Sequence, residues 1–227
     1  MQALTCGAPA RNNHEAYWLN RRLFVSALLV MLVWRGAGPL LAETGAPDAV
    51  RVDRRAALKA GVPGDVLHLA MTAVTCGVAS GDLAEPPTLT LIDYALPSTR
   101  PRLWVFDLRS GRLLFTELVA HGRNSGDNMA TRFSDAGDSR ESSLGLFRTA
   151  DTYVGRNGYS LRLDGLEPGF NSHARARAIV MHGAPYVDPS IAKANGRLGR
   201  SWGCPALREA VARRVIDTVR DGGVIFS

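Results

Sequence analysis

The chain has 227 residues, 46% of them hydrophobic and 21% charged, and a formal net charge of +6. This length and composition are those of an ordinary globular protein with one good-sized domain. Removing the four arginines and one glutamate of residues 1–42 leaves 23 basic and 20 acidic residues, a net charge of +3. That balance is too mild to indicate nucleic-acid binding, and no basic stripe with interleaved aromatic residues is present.

Residues 1–42 have the composition of an export signal. Arg21 and Arg22 precede an apolar run over 23–34, and small residues follow up to Ala42. A basic start, a short apolar stretch and a small residue at its end are typical of a cleaved signal, and the arginine pair resembles the twin-arginine type. We expect cleavage near Ala42 and a location in the periplasm or cell wall. The apolar run is short for a membrane span, so an uncleaved anchor is the alternative, and membrane contact is expected only through it.

Residues 43–87 are predicted to form a linker followed by two helices. The pattern is helical over 52–80, with a break at Val62, Pro63 and Gly64. Cys76 is expected on the inner face of the second helix, as a small buried residue.

From residue 88 onward the pattern changes to short strands. Apolar residues alternate with polar ones, and glycine-containing turns separate the runs. The polar stretch 122–143 is predicted as a long loop with a short strand near Phe133, and such loops often carry function. We therefore predict a mainly β domain over 88–227, with one amphipathic helix over 207–219. The predicted strands lie at 88–94, 102–107, 113–119, 144–149, 160–163, 178–181 and 222–226.

Cys204 and His182 are the strongest candidates for chemistry. His182 precedes Cys204 by 22 residues, and Cys204 directly follows Ser201, Trp202 and Gly203. A cysteine becomes a nucleophile as a thiolate, and a nearby imidazole or helix N-terminus is the usual means of forming one. The Gly203 and Cys204 amides are candidates for an oxyanion hole, and Gly183 is expected to leave room for substrate beside His182.

The other cysteines leave two readings of Cys204 open. Cys6 lies within the expected signal, so Cys76 and Cys204 would remain and could form one disulfide. No Cys-x-x-Cys pair occurs, and we predict no metal site. If Cys204 is free in an oxidising compartment, a catalytic role is favoured over a structural one.

Several segments in order carry a resemblance to one family. Segments 119–126, 158–167, 179–184 and 199–207, with His-Gly at 182 and Ser-Trp-Gly-Cys at 201, resemble the murein (YkuD-like) L,D-transpeptidase catalytic domain. The similarity runs over 88–226 and implies a β-sandwich with a few helices behind a helical N-terminal extension. It implies a cysteine acyltransferase without a cofactor, acting on peptidoglycan stem peptides.

The resemblance also implies a reaction. Cys204 would form a thioester at the L-centre of a diamino acid, releasing the terminal D-amino acid, and an amine acceptor would resolve it with help from His182. An L,D-carboxypeptidase or endopeptidase using the same pair, and a non-catalytic wall-binding module, are the alternatives. Ser201 and Gly203 are expected to shape the site.

The chain departs from the family's usual Ser-His-Gly-Cys-(Ile/Val)-Arg pattern. Trp202, Pro205 and Ala206 stand where histidine, isoleucine or valine, and arginine are usual. Arg200 and Arg208 are candidates to replace the missing arginine. A role of His121 in the site is a further possibility. Arginine side chains can bind the carboxylates of a stem peptide bidentately, and the other polar candidates lie next to the motifs. The residues considered for substrate binding are Trp202, Arg200, Arg123, Asn124 and Arg162.

Overall fold

The computed structural model describes residues 50–227, so the predicted export signal and most of the linker lie outside the described part. Within residues 50–227, four helices and nine strands follow in order. The helices are α1 (Arg54–Lys59), α2 (Gly64–Ser80), α3 (Pro189–Asn195) and α4 (Glu209–Val219). The strands are β1 (Thr88–Ile92), β2 (Leu103–Asp107), β3 (Leu113–Glu117), β4 (Val119–Ala120), β5 (Leu146–Gly155), β6 (Gly158–Gly165), β7 (Val180–Gly183), β8 (Ala206–Leu207) and β9 (Val224–Phe226).

The nine strands hydrogen-bond as one sheet, in the order β3-β2-β1-β9-β5-β6-β7-β8-β4. β3 and β4 stand at opposite ends of this order, yet only Leu118 separates them along the chain. The sheet must therefore curl until its two ends meet, in the direction that strand twist favours. The predicted mainly β class is confirmed. The strands form one continuous sheet, whereas the expected β-sandwich would consist of two.

The concave side of the curled sheet holds the largest hydrophobic core. Side chains from both halves of the sheet, such as Leu103, Leu161 and Met181, meet there with the apolar stripe of α4. Val215 and Ile216 of α4 are fully buried in this core. The helix predicted over 207–219 begins at Glu209, because residues 206–207 pair with β7 and β4 as β8.

Helices α1 and α2 occur where the helical pattern predicts them and cover the other side of the sheet. They share a second core with alternate residues of β1 and β2, including Leu89 and Trp104. The Trp104 indole also donates a hydrogen bond of 3.0 Å to the Ala60 carbonyl oxygen after α1. The helices are thus a layer on the sheet and not a separate extension.

Two local expectations are wrong. The long loop takes part in two isolated bridges, Gly122 with Ser201 and Gly126 with Ala130, and no strand forms at Phe133. Cys76 is half-buried and disulfide-bonded, not a buried free thiol, whereas Cys204 is free.

Helices α1–α4, which are all the helices in residues 50–227, include none long and apolar enough to cross a membrane.

Candidate active site

Cys204 lies two residues before β8, at the edge of the large core. It is 8% exposed, and its sulfur accepts a hydrogen bond from the Val180 amide at 3.5 Å. The thiol in turn lies 3.8 Å from the Ala178 carbonyl oxygen, to which it donates. Burial raises the pKa of the Cys204 thiol above its ordinary value, although the Val180 amide and the Arg177 guanidinium oppose this. The expected help from a helix N-terminus is not found, since α4 begins five residues later.

His182 is held in one tautomer by the backbone. It lies in β7 and is 5% exposed, with Nδ1 2.8 Å from the Gly183 carbonyl oxygen. A carbonyl can only accept, so Nδ1 carries the proton and Nε2 keeps its lone pair. Burial lowers the pKa of His182, which favours this neutral form. The ring is therefore a base with one free nitrogen.

The sheet brings His182 and Cys204 to adjacent strands. In the parallel pair of β7 and β8, His182 lies opposite Ala206, two residues beyond Cys204. Within the described chain, no hydrogen bond joins the two side chains, so proton transfer requires a change of side-chain rotamer or a bridging group.

The turn before Cys204 is fixed by Ser201. The buried Ser201 hydroxyl donates to the Cys204 carbonyl oxygen at 2.6 Å and accepts from the Gly203 amide at 3.1 Å. Gly203 has φ of +120°, and a Cβ there would lie 2.8 Å from the Glu141 carbonyl oxygen. The turn therefore requires glycine at this position.

This hydrogen bonding changes the expected oxyanion hole. The Gly203 amide is already engaged by Ser201, whereas the Cys204 amide has no partner among residues 50–227 except its own sulfur. The Cys204 amide is thus the available donor for a developing oxyanion.

Gly183 does not make room for substrate. A Cβ on Gly183 would lie 3.0 Å from the Ala212 Cβ and 3.4 Å from the Glu209 Cα. The missing side chain therefore permits close packing of β7 against α4. Its contribution to the site is the carbonyl oxygen that orients His182.

Arg177, which sequence reasoning missed, anchors the long loop beside Cys204. Its side chain is 5% exposed. The guanidinium donates four hydrogen bonds of 2.6–2.9 Å, to the Ser134 and Glu141 carbonyl oxygens and to the Ser139 and Ser143 hydroxyls. The only feature of the sequence that could indicate this anchoring role is an arginine just before a buried strand. Many exposed arginines occur in the same context.

A cleft of about 580 Å³ opens next to the nucleophile. Ala178, whose carbonyl oxygen accepts from the Cys204 thiol, lines this cleft together with Arg177 and Trp202, whereas Cys204 and His182 do not line it. Trp202 is 63% exposed, and the Arg140 guanidinium carbon lies 4.8 Å from the centre of its ring. Trp202 therefore borders the cleft and does not pack into the core.

The other polar candidates lie elsewhere. The Asn124 amide donates to the Ser139 carbonyl oxygen within the loop, and Arg162 pairs with Asp151 and stacks on Tyr153. Arg123 is exposed and borders the cysteine turn through its amide, which donates to the Ser201 carbonyl oxygen at 2.8 Å.

The two arginines considered as replacements for the missing family arginine are both engaged. Arg200 binds Asp127 and the Gly126 carbonyl oxygen, each at 2.8 Å. Arg208 forms a two-pronged pair with Glu117 at 2.8 and 2.9 Å. Neither lines the cleft.

His121 belongs to a buried network behind the cysteine turn. Its Nδ1 accepts from Arg102 at 2.7 Å, its Nε2 lies 3.4 Å from the Gly126 carbonyl oxygen, and its own carbonyl accepts from the Ser201 amide at 3.0 Å. Burial, aided by the charge of Arg102, lowers the pKa of His121 to about 4. His121 therefore supports the turn and does not face the cleft. Among residues 50–227, no three His, Cys, Asp or Glu side chains cluster to hold a metal ion.

Comparison with known proteins identifies the family of the chain. The sequence model of the L,D-transpeptidase catalytic domain (YkuD_2) matches residues 58–227, about three quarters of the chain. The chain therefore belongs to the L,D-transpeptidase catalytic domain family. The match begins within α1, so the family's domain includes α2 and is longer than the segment that the sequence motifs cover. No curated protein matches the chain significantly.

Solved structures related to the chain are distant. An L,D-transpeptidase from Mycobacterium smegmatis is 15% identical with a TM-score of 0.39. LdtMt1 in complex with imipenem is 18% identical with a TM-score of 0.37, and L,D-transpeptidase 1 of Mycobacterium tuberculosis is 14% identical with a TM-score of 0.34. Each match covers 62% of this chain and 58–60% of the other, so the chain spans less than two thirds of these proteins.

Proposed function

We propose that the protein is a peptidoglycan L,D-transpeptidase in which Cys204 is the nucleophile and His182 the base. The observation that carries this proposal is a buried free thiol, whose contact Ala178 lines a cleft, one strand away from an imidazole whose Nε2 is unprotonated. Family membership supplies the reaction class, and these two residues supply the groups that this class needs.

In the first half-reaction the Cys204 sulfur attacks the carbonyl carbon at the L-centre of a diamino acid in the donor stem peptide. His182 Nε2 takes the thiol proton as the carbon–sulfur bond forms. The Cys204 amide donates to the developing oxyanion. The carbon–nitrogen bond then breaks, and His182 returns the proton to the amine of the departing D-amino acid, which leaves a thioester.

In the second half-reaction an amine of another stem peptide attacks the thioester carbonyl. His182 takes a proton from that amine, the carbon–sulfur bond breaks, and the sulfur regains a proton. The product is a new amide cross-link. If water replaces the amine, the same steps give a carboxylic acid, which is the hydrolase alternative.

We also propose that the protein acts outside the cytoplasm, in the periplasm or cell wall. The composition of residues 1–42 supports this, and so does the location of peptidoglycan stem peptides in the wall. Fractionation of cells that express the full chain, with and without the Arg21-Arg22 pair changed to lysines, tests the proposal. Retention of the unchanged chain in the cytoplasm contradicts it.

Incubation of the protein with tetrapeptide muropeptides, followed by mass spectrometry, tests the reaction. We expect cross-linked dimers together with the released D-amino acid. Cys204→Ala removes the nucleophile and should abolish turnover while sparing binding to sacculi. Full activity of Cys204→Ala contradicts the assignment of the nucleophile.

The same assay separates the alternatives. Trimmed monomers without dimers identify a hydrolase, and sacculus binding without any product identifies a wall-binding module. Ser110→Ala is a matched control, because Ser110 is an exposed residue in the turn between β2 and β3 and does not line the cleft. This variant should retain full turnover.

A further inference from the structure

Among the titratable residues that line the cleft beside Cys204, basic ones outnumber acidic ones. Its lining includes Arg140, Arg177 and His173, and Asp138 is the acidic residue there. Ala178, whose carbonyl oxygen accepts from the Cys204 thiol, is one of the lining residues, so the cleft adjoins the backbone that contacts the nucleophile. The charge of its lining favours an anionic ligand group.

Two of these basic side chains are already committed to the protein. The terminal nitrogens of Arg177 donate to four oxygen atoms of the long loop. His173 contacts Asp135, with Nδ1 3.0 Å from Oδ2. Neither is free to recognise a ligand through these atoms.

Arg140 differs from both. It is exposed, and none of the ion pairs or side-chain hydrogen bonds formed within residues 50–227 uses its guanidinium. Its contact is with the face of Trp202, at 4.8 Å from the guanidinium carbon to the ring centre. Stacking on an indole restrains the plane of a guanidinium while leaving its edge free to bind an anion in two-pronged fashion.

The backbone of Arg140 is also fixed in place. Its φ is +56°, in the left-handed region that residues other than glycine rarely adopt. Its carbonyl oxygen accepts from the Asn124 amide at 3.2 Å. Trp202, on the opposite side of the contact, is two residues from Cys204. The pair thus joins the long loop to the cysteine turn, and both residues line the cleft.

We propose that Arg140 and Trp202 form a carboxylate-binding subsite for the donor stem peptide. This inference rests on the proposed function and specifies which chemistry the donor must present. The guanidinium edge of Arg140 binds the carboxylate, and the indole of Trp202 holds the guanidinium and shields one side of the ion pair from water.

Two carboxylates of a stem peptide fit this position. One is the terminal carboxylate of the leaving D-amino acid, and the other is the side-chain carboxylate of the diamino acid. Each belongs to one of the two residues that the scissile bond joins, and a single residue spans at most about 3.6 Å along the chain. Donors that lack one or the other carboxylate distinguish them.

The experiment measures kcat/KM for formation of the Cys204 thioester with three tetrapeptide donors. The first has both carboxylates, the second a C-terminal amide, and the third an amidated diamino-acid side chain. Arg140→Gln should lower kcat/KM about tenfold with the first donor, the size expected for one charge-assisted contact. With the donor that lacks the recognised carboxylate, wild type and variant should react equally.

Arg156→Gln is the matched control. Arg156 is an exposed arginine at the turn between β5 and β6, and it does not line the cleft. This variant removes the same charge elsewhere on the surface and should react like wild type with all three donors. Alkylation of Cys204 by iodoacetamide, expected to be unchanged in both variants, shows that the nucleophile is intact.

A binding measurement separates this proposal from the proposed function. In the Cys204→Ala background no thioester forms, and calorimetry gives the Kd of each tetrapeptide directly. Arg140→Gln should raise the Kd about tenfold for the donor with both carboxylates. An equal Kd with and without Arg140, or the same loss with all three donors, overturns the subsite. A wild-type protein that binds the donors but forms no thioester contradicts the proposed function alone.

Discussion

At neutral pH the Cys204 side chain is a thiol and His182 is a neutral imidazole. Burial disfavours the charged form of each group, so the pKa of Cys204 lies above its ordinary value and the pKa of His182 lies below its own. An imidazolium–thiolate ion pair at rest requires the opposite shifts. The geometry therefore favours general-base removal of the thiol proton during attack.

This protonation state predicts the pH dependence of alkylation. The rate of Cys204 modification by iodoacetamide should be low near pH 7 and should rise with pH as the thiol ionises, above its ordinary pKa of 9.0. Intact-protein mass spectrometry over a pH series measures this rate. His182→Gln should leave unchanged the pH at which the rate rises, because His182 does not hold the resting thiol as a thiolate. A plateau of fast alkylation below pH 7 that is lost in His182→Gln indicates an ion pair and contradicts the prediction.

At the scale of elements, the site depends on how the long loop over 122–143 is attached to the sheet. Arg177, just before β7, bonds to both ends of the segment 134–143. The amide of Arg123 donates to Ser201, which attaches the start of the loop to the cysteine turn. The loop is therefore ordered by a few buried hydrogen bonds at its base, and it carries Arg140 to the cleft.

Loss of the Arg177 guanidinium should loosen this loop. Arg177→Met leaves the four oxygen acceptors without their donor, and we expect a loss of about 2–4 kcal/mol of stability. Amides of residues 134–143 should exchange hydrogen faster, and thioester formation by Cys204 should slow. Thermal unfolding and hydrogen-exchange mass spectrometry measure the first two effects.

Arg132→Met is the control for Arg177. Arg132 lies in the same loop, with its side chain 69% exposed, and its contacts are with Asn124 and Glu141 at the surface. Exposed pairs contribute little, so this change should cost less than about 1 kcal/mol. Similar effects of the two substitutions contradict the anchoring role of Arg177.

For the whole molecule, the buried network of Arg102 and His121 couples stability to pH. Arg102 is fully buried and bonds the Val119 and Leu96 carbonyl oxygens as well as His121. Burial lowers the pKa of Arg102 to about 10, so it remains charged at neutral pH. Tyr94 packs against both side chains, and burial raises its pKa to about 12. A second cation at His121 is therefore unfavourable in the folded state.

Acid should destabilise the fold through His121. Its pKa is about 4 in the folded state and near 6.5 when unfolded, so the unfolded chain binds more protons between these values. Stability should therefore fall as the pH is lowered from 6.5 to 4, by on the order of 3 kcal/mol from this residue. His121→Asn keeps a side chain that can accept from Arg102 but cannot be protonated. Urea unfolding at several pH values should show a smaller acid loss in the variant, and equal slopes refute the assignment.

Much of the fold was predictable because its elements are local. Most strands and α2 follow from alternation or helical periodicity, and turn residues separate them. β8 was missed because it is only two residues long and exists through pairing with β7 and β4. The strand expected at Phe133 is absent because the loop is ordered by Arg177 and by backbone contacts that have no periodic signal.

The sequence by itself determined the family motifs and the mainly β class, and it identified Cys204 and His182 as the candidate pair, since these depend on residue identity and short-range pattern. The tertiary structure decided the environment of that pair: the tautomer of His182, the engagement of the Gly203 amide by Ser201, and the raised pKa of Cys204. It also decided which arginines are free to bind a ligand. Arg162 pairs with an acidic residue that is near in the sequence, and Arg200 pairs with one that is far away in the sequence. Burial and ion pairing depend on which surfaces meet when the sheet curls, and no local pattern records that.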